Sequence, residues 1–321
     1  MNKTVLKIAN AALLIFISLF TAESYLIAVG YPENKCKTHP LSSEKPLAEF
    51  NPVLGWSYFR NRTLKNDGTF YVFNKEGYRT TSESSQTDFS KPIILIIGDS
   101  MLFGHGITFK QTFGYKLNQA LENKYEILNF AVQGYGTDQM FLLLKQLFPI
   151  YKPKVVIADY IDEHLMRNVN SDRREIIPCM KFIGTKPLFE IKNGKPILKH
   201  KPMLYKVYDR PLILSLIRDL FREKIEIRTK KNGLKITLAL IDEIKKISEN
   251  QGSRFYFVNL SNKKNIFSNK IGPSVLGMSV MSKPSKDYTL SGDDMHPNPT
   301  GTQLMVDEFM RQFGDKLRDE Y

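Results

Sequence analysis

From residue 91 onwards, continuous apolar runs alternate along the chain with segments of helical periodicity. The first run, Ile93–Ile97, is typical of a strand buried on both faces of a parallel sheet. Similar strands are predicted at "YEILNFAV", "KVVIADY" and "RFYFVNL". Apolar positions at helical spacing predict helices at Lys110–Asn123, Asp138–Phe148, Leu238–Ser248 and Thr300–Leu317. This order predicts an α/β fold with a parallel sheet and helices on both of its faces.

Two regions depart from this alternation. Residues 32–90 are rich in Pro, Ser, Asn, Lys and Thr, and they predict a stalk followed by an N-terminal extension with a turn at "NKEGYR". Residues 173–233 are too many for an ordinary connection and carry an Asn-Gly hairpin signal, so they form an insertion that either shapes a site or decorates the periphery. The predicted units are therefore 1–31, 32–90, and a main domain at 91–321 that includes the insertion.

The N-terminus predicts export. Two lysines precede Ile8–Ala22, an uncharged stretch of 15 residues, and apolarity resumes after Glu23 and Ser24 as far as Tyr31. The 24 residues of Ile8–Tyr31 suit an uncleaved signal anchor with Glu23 near the outer interface and the lysines in the cytoplasm. A signal peptide cleaved after Ser24 is the alternative, which would give a secreted form. In both cases the body is expected outside the cytoplasm, in the periplasm or the cell exterior.

Composition narrows the class of partner. The chain has 321 residues, 42% of them hydrophobic, and 46 basic against 33 acidic residues give a net charge of +13. Such a charge suits anionic surroundings, but the basic residues are spread out and no nucleic-acid motif accompanies them. The two cysteines are too few for a Cys/His zinc site. In an exported protein, Cys36 and Cys179 could form a disulfide.

A nucleophile is suggested by "GDS", which follows the first buried strand and ends at Ser100. A serine hydroxyl needs a base, an orienting acid and donors for the developing oxyanion. Among the five histidines, His296 lies in "SGDDMHPNPTG", three residues after Asp293, so a turn can hold that carboxylate against the imidazole. The alternatives are an ordinary turn at the strand end and a capping turn before the last helix.

The segments "GDS", "NFAVQGYGTDQ" and "DDMHPNPTG" resemble, in the same order, the SGNH or GDSL-type hydrolase family, as do "LGW" and "NKEGYR" in its exported bacterial members. The resemblance covers about residues 50–315. It implies a flavodoxin-like three-layer sandwich and hydrolysis or transfer of acyl esters, with no cofactor or metal expected. It makes Ser100 the nucleophile, His296 the base and Asp293 its partner, with backbone amides of Ser100 and Gly134 as oxyanion donors. "GDSML" does not fit the Gly-x-Ser-x-Gly elbow of α/β-hydrolases.

One block departs from the family pattern. After the third strand the family has Gly-x-Asn-Asp, whose asparagine donates to the oxyanion, but here Asp162 stands at the asparagine position. An ionised carboxylate cannot donate a hydrogen bond. Three interpretations stay open: His164 or Asn168 donates instead, Asp162 is protonated, or the site is catalytically weak. We expect His164 to be the replacement donor, against the alternative of a structural histidine. His105 and Trp56 are interpreted as packing residues, and Thr137 as a helix cap.

The sequence thus predicts a membrane-anchored, exported serine esterase. Its expected substrates are acyl esters, O-acetyl or other, of cell-envelope carbohydrate or lipid, cleaved through an acyl-enzyme. One alternative is an O-acyltransferase on envelope polysaccharide. The other is a non-catalytic SGNH-fold binding or assembly protein. The membrane is a predicted partner through the N-terminal helix, and nucleic acid is not.

Overall fold

The computed structural model describes residues 3–31, 47–66, 68–173, 183–205, 211–261, 267, 271, 275–277, 286–291 and 294–318. The helices are α1 (Lys3–Ala28), α2 (Ser100–Phe103), α3 (Phe113–Ala120), α4 (Thr137–Tyr151), α5 (His164–Arg167), α6 (Leu212–Leu220), α7 (Arg222–Asn250) and α8 (Pro299–Arg318). The strands are β1 (Ala48–Asn51), β2 (Gly55–Tyr58), β3 (Arg62–Asn66), β4 (Thr69–Phe73), β5 (Arg79–Thr80), β6 (Ile93–Ile97), β7 (Glu126–Asn129), β8 (Val155–Tyr160), β9 (Leu188–Lys192), β10 (Lys195–His200), β11 (Arg254–Asn259), β12 (Val275–Gly277), β13 (Thr289–Ser291) and β14 (Asp294–Pro297).

A five-stranded parallel sheet in the order β7-β6-β8-β11-β12 confirms the predicted fold class. Every residue of β6 and of β8 is buried, which explains the apolar runs Ile93–Ile97 and Val155–Ala158. The chain moves from β6 to β7 on one side and later to β8 on the other, so the strand order reverses beside β6. In such sheets, loops diverge at this reversal and leave a crevice at the carboxyl ends of the strands. The loop that follows β6 begins with "GDS".

Two pairs of helices cover the sheet: α3 packs against α8, and α4 packs against α7. Three of the four predicted helices agree with the structure within a few residues, but α7 begins at Arg222 rather than at Leu238. Its first half, "REKIEIRTKKNG", contains many charged residues and lacks an apolar stripe, so periodicity cannot reveal it. Arg, Glu and Lys are nevertheless good helix formers.

The N-terminal extension consists of strands that share the main hydrophobic core. Hairpin β1–β2 and the sheet β3-β4-β5 lie ahead of the parallel sheet in the chain, and the predicted turn at "NKEGYR" joins β4 to β5. Tyr58, Tyr71 and Phe73 are buried, and their rings lie 4.7, 5.3 and 6.3 Å from the ring of Phe103 in α2. The extension therefore packs directly against the turn that carries Ser100.

The insertion contains the predicted hairpin, β9–β10, with Asn193 and Gly194 at φ 51° and 76° as a type I′ turn requires. A buried ion pair anchors its beginning to α4, because Lys186 Nζ contacts the carboxylate of Asp138 and also donates to Arg167 O at 2.9 Å. Cys36 and Cys179 lie outside the described residues, so their disulfide stays a prediction.

Helix α1 is 26 residues long, has a mean hydropathy of 2.0 in its most apolar window, and leaves that window unburied. By length and composition it can cross a membrane. The same properties also occur in a signal sequence.

Candidate active site

Ser100 and His296 meet at the carboxyl end of the parallel sheet. Ser100 begins α2 directly after β6, and its Oγ lies 2.8 Å from His296 Nε2 across 196 residues of chain. This distance suits a hydroxyl that donates to a neutral imidazole. The ring nitrogen that would accept the serine proton in an attack is therefore in place.

His296 is held by the hairpin β13–β14 and by the helix that follows it. Immediately after the hairpin, the side chain of Asn298 donates to Thr289 O at 3.0 Å and accepts from Gly301 N at 2.9 Å. The second bond caps the amino end of α8, and Pro299 occupies the first helical position, where its missing N–H costs nothing. Cap and hairpin together position the imidazole.

Asp293, the predicted partner of His296, lies outside the described residues, and its role stays a prediction. With Nε2 accepting from Ser100, the proton of a neutral imidazole lies on Nδ1. That nitrogen is the one a carboxylate would have to contact.

Behind the nucleophile, the buried carboxylate of Asp99 caps α2 by accepting from Met101 N at 2.9 Å. Its Oδ2 also accepts from His164 Nε2 at 3.1 Å and from Arg167 Nη1 at 2.8 Å. Burial by itself would raise the pKa of Asp99, but the His164 hydrogen bond and the Arg167 charge outweigh it and hold that pKa well below its usual value. Asp99 is therefore a buried carboxylate with a cationic partner.

A second buried carboxylate, that of Asp159 in β8, contacts the backbone of the turn that carries Ser100. It accepts from Asp99 N at 3.0 Å and from Leu102 N at 3.4 Å. A β-carbon at Gly98 would lie 3.0 Å from Asp159 Oδ1, closer than such contacts usually are, so glycine allows this approach without displacing the carboxylate. Burial, and then the charge of Asp99, raises the pKa of Asp159 well above its ordinary value. Strand β8 thus supports the backbone on which Ser100 sits.

The ligand atoms of Asp99, Asp159 and His164 lie within 4.8 Å of one another, as in a small metal site. In this cluster His164 is bonded to Asp99, and the guanidinium of Arg167 already supplies the positive charge on the same carboxylate oxygen. Among the described residues the cluster is therefore best explained as a hydrogen-bonded ion pair.

At the carboxyl end of α2, the buried Arg79 binds backbone carbonyl groups. Its guanidinium donates to the backbone oxygens of Phe103, Gly104 and Ile107 at 2.9, 2.6 and 2.5 Å, and it lies 4.6 Å from the ring centre of Tyr71. Burial lowers the pKa of Arg79 to about 10, so it remains charged at neutral pH. A cation at a helix carboxyl end is favourable. The motif "NKEGYR" predicted a turn, but it did not reveal this role of its arginine.

The loop of Gly134 is held by the N-terminal extension. Trp56 Nε1 donates to Gln133 O at 3.1 Å, Gln133 N donates to Tyr58 Oη at 2.9 Å, and Tyr135 Oη donates to Trp56 O at 2.6 Å. Gly134 itself has φ 77°, a left-handed conformation that favours glycine. Trp56 was interpreted as packing, and it also fixes the loop that carries the predicted oxyanion donor.

Two further side chains border the site. The ring of His105 lies 4.5 Å from the ring of His296, and its Nδ1 contacts the side-chain amide of Gln133. His105 is therefore more than the loop packing expected from the sequence. Arg173 is buried, with its Nη2 3.7 Å from the position of a β-carbon at Gly134, and burial lowers its pKa to about 9. It places positive charge beside the predicted oxyanion donor.

The donor role expected of His164 does not fit this geometry. His164 is fully buried, with Nε2 on Asp99 and Nδ1 3.5 Å from Thr137 Oγ1, so both ring nitrogens face away from a substrate at Ser100. Burial lowers its pKa, so the imidazole is neutral and donates from Nε2 to Asp99. The cause is the turn before α5, which directs His164 into the protein. Thr137 was expected to cap α4, but the N-cap residue is Gly136, and the hydroxyl of Thr137 contacts His164 instead.

The other two candidates of this block are placed differently. Asp162 is exposed between β8 and α5, where it accepts from Tyr160 Oη at 3.4 Å. Asn168 is buried, donates to Thr237 Oγ1 at 2.7 Å and accepts from Asp138 N at 3.2 Å. Its amide is therefore engaged inside the protein.

A scan against family models gives no match for the sequence, and neither does a search of curated proteins. Solved structures similar to this chain include TesA, at 10% identity, 70% coverage of this chain, 98% of the other and a TM-score of 0.43. The esterase EstA from Pseudoalteromonas sp. is 12% identical, with 71% of this chain and 99% of the other covered and a TM-score of 0.40. A catalytic mutant of Axe2, an acetylxylan esterase from Geobacillus stearothermophilus, is 10% identical, with 70% of this chain and 94% of the other covered and a TM-score of 0.39.

We expect Arg167→Met to lower the free energy of unfolding by about 3–5 kcal/mol, because it leaves the buried Asp99 carboxylate without its cation. Adding Asp99→Asn should restore part of the loss. Arg311→Met, which removes an exposed partner of Glu308, is the matched control and should unfold like the wild type. Denaturant titration measures all three variants. Equal stability of Arg167→Met and Arg311→Met would contradict this account of Asp99.

We expect stability to fall as the pH decreases through about 6.5, the ordinary pKa of histidine. Burial lowers the folded-state pKa of His164, so over this range the unfolded chain binds more protons and the folded state loses stability. His164→Gln should flatten this dependence, whereas His200→Gln, at an exposed position, should retain it. Thermal unfolding between about pH 8 and 5 measures the slopes. Parallel slopes for His164→Gln and the wild type would exclude a buried neutral His164.

Proposed function

We propose that the protein is a serine esterase that acts through an acyl-enzyme on Ser100. The observation that carries the proposal is the 2.8 Å contact between Ser100 Oγ and His296 Nε2 at the topological switch point of the sheet. A serine hydroxyl becomes a useful nucleophile only beside such a base. The two buried supports of α2, Asp99 and Arg79, hold the nucleophile in position for attack.

In the first half-reaction, Ser100 Oγ attacks the ester carbonyl carbon while its proton passes to His296 Nε2. The carbonyl oxygen then carries the negative charge of the tetrahedral intermediate. When the intermediate collapses, the ester C–O bond breaks, the alcohol leaves with the proton from His296, and the acyl group remains on Ser100. In the second half-reaction, His296 removes a proton from water, which attacks the acyl carbon. The bond from that carbon to Ser100 Oγ then breaks, the acid leaves, and the proton passes from His296 back to Ser100 Oγ.

We assign the stabilisation of the oxyanion to the backbone amides of Ser100 and Gly134. Ser100 N lies at the amino end of α2, and Gly134 lies in the loop fixed by Trp56 and Tyr135. The buried charge of Arg173 beside Gly134 adds a favourable field in place of the missing asparagine. Asp293 is proposed to hold the imidazolium that forms on His296.

The proposed substrates are acyl esters, O-acetyl or other, of cell-envelope carbohydrate or lipid. Helix α1 supports this choice because, inserted as an anchor, it would hold the site next to a membrane. The net charge of +13 favours anionic surroundings of this kind. The body would face the periplasm or the cell exterior, with the N-terminal lysines on the cytoplasmic side.

We expect the full-length protein to react with a fluorophosphonate probe on Ser100, because the probe is attacked by activated serines. Ser100→Ala should abolish labelling and reduce the turnover of small acyl esters by about 10⁴-fold or more. Ser90→Ala is the control: Ser90 is exposed and its Oγ donates to Asp88 without an imidazole beside it. Label on Ser100 without ester hydrolysis would favour the acyltransferase. A wild-type protein that neither reacts with the probe nor hydrolyses esters would leave the non-catalytic binding protein.

We expect the full-length protein to stay in the membrane fraction through carbonate extraction, with its N-terminus intact, because the most apolar window of α1 has a mean hydropathy of 2.0. N-terminal sequencing of the extracted protein checks the anchor. Recovery of a soluble exported chain that starts at Tyr25 would establish a cleaved signal instead.

A further inference from the structure

A short helix of the insertion, α6, exposes an apolar face. Leu214, Ile217, Leu220 and Phe221 are all exposed. At 100° per residue Leu214, Ile217 and Leu220 occupy one third of the helix circumference, and Phe221 directly follows the last residue of α6. Ile213, within this arc, and Leu212 and Leu216, next to it, are partly buried. A helix in water does not benefit from such a face, so the face requires an apolar surrounding.

Helix α6 is attached to the proposed membrane anchor. The carboxylate of Glu23 in α1 accepts from Leu212 N at 2.7 Å and from Ile213 N at 3.0 Å, and so caps the amino end of α6. Leu26, one turn further along α1, is the buried residue of that helix. The two helices also pack against each other directly.

The contact lies at the membrane surface if α1 spans the bilayer. The 18 residues from Val5 to Ala22 extend about 27 Å at 1.5 Å per residue, close to the hydrocarbon thickness of about 30 Å. Lys7 can reach the near interface along its own stem. Glu23 then comes at the far interface, where Tyr25 is exposed as an aromatic residue of the interfacial belt. The first turn of α6 is fixed at the same depth by its bonds to Glu23.

We propose that α6 is an interfacial helix whose face of Leu214, Ile217 and Leu220, together with the adjoining Phe221, binds the lipid surface of the bilayer that α1 crosses. The inference rests on the membrane anchor proposed above and adds a second contact to it. Burial of an amphipathic face at the boundary of headgroups and acyl chains is the usual behaviour of such helices. The chosen occupant is lipid because the exposed surface of α1 and the exposed face of α6 adjoin at Glu23.

Two contacts would restrict the orientation of the body relative to the membrane more than α1 alone would. The insertion, expected either to shape the site or to decorate the periphery, thereby gains a specific role. Its α6 faces lipid, whereas Lys186 at its beginning is bound to Asp138 in α4. The segment therefore links the membrane surface to a helix of the main domain.

The test uses full-length protein in vesicles of phosphatidylcholine with or without brominated acyl chains, which quench tryptophan by contact. The native Trp56 is buried and common to all variants, so its emission is subtracted. Leu220→Trp places a reporter on the proposed face, where Leu220 is 73% exposed. Ile150→Trp is the matched control at a position on α4 that is 62% exposed. We expect blue-shifted emission from Leu220→Trp that brominated lipid largely removes, and unshifted, unquenched emission from Ile150→Trp.

A second pair of variants tests the tie to α1. Glu23→Ala removes both acceptor oxygens for α6, and we expect it to reduce the quenching of Leu220→Trp while the protein stays in the vesicles. Glu49→Ala, at an exposed position in β1, should leave that quenching unchanged. Equal quenching in the two backgrounds would overturn the role assigned to Glu23.

Vesicle flotation separates this inference from the anchor. A protein that floats while Leu220→Trp and Ile150→Trp remain equally unquenched overturns the lipid contact of α6 and leaves the anchor standing. A protein that does not float overturns both. Emission that shifts to the blue with protein concentration in lipid-free detergent solution would assign the face to a second copy of the chain, and this too overturns the proposal.

Discussion

The interaction on which the site depends is the capping of α2 by the buried carboxylate of Asp99. This carboxylate binds Met101 N in front and His164 and Arg167 behind, so one group joins the nucleophile turn to α5. Burying an ion pair is costly, and replacing such a pair by apolar residues is often neutral or stabilising. The benefit inferred here is positional: Asp99 sets the direction of the chain at the residue immediately before Ser100.

The remaining supports of the site come from segments far away in the chain. Arg79 and Trp56 belong to the N-terminal extension, and they fix the end of α2 and the loop of Gly134. The hairpin that presents His296 is near the carboxyl end. The crevice at the strand-order reversal is common to this type of sheet. What makes this one a candidate esterase site is that the N-terminal extension, the turn after β6 and the hairpin β13–β14 converge on it.

Much of the parallel sheet was predictable from the sequence, because strands buried on both faces are predominantly apolar, as the runs Ile93–Ile97 and Val155–Ala158 are. Ser100 and His296 were identified through local motifs and a family resemblance. The roles of Arg79 and Arg167 were missed because their partners are distant in sequence: Phe103 is 24 residues from Arg79 and Asp99 is 68 from Arg167. His164 was assigned the wrong role for a related reason, since its direction is set by a turn that neither periodicity nor spacing reveals.

The most direct test of the central claim is to trap the acyl-enzyme. Full-length wild-type protein is mixed with p-nitrophenyl acetate, quenched in acid within the first turnover, and digested for peptide mass spectrometry. The account predicts one acetyl group on the peptide that contains Ser100, and none on that peptide from His296→Gln, because the hydroxyl then lacks its base. Ester turnover by the wild type with Ser100 unmodified at every quench time would contradict it.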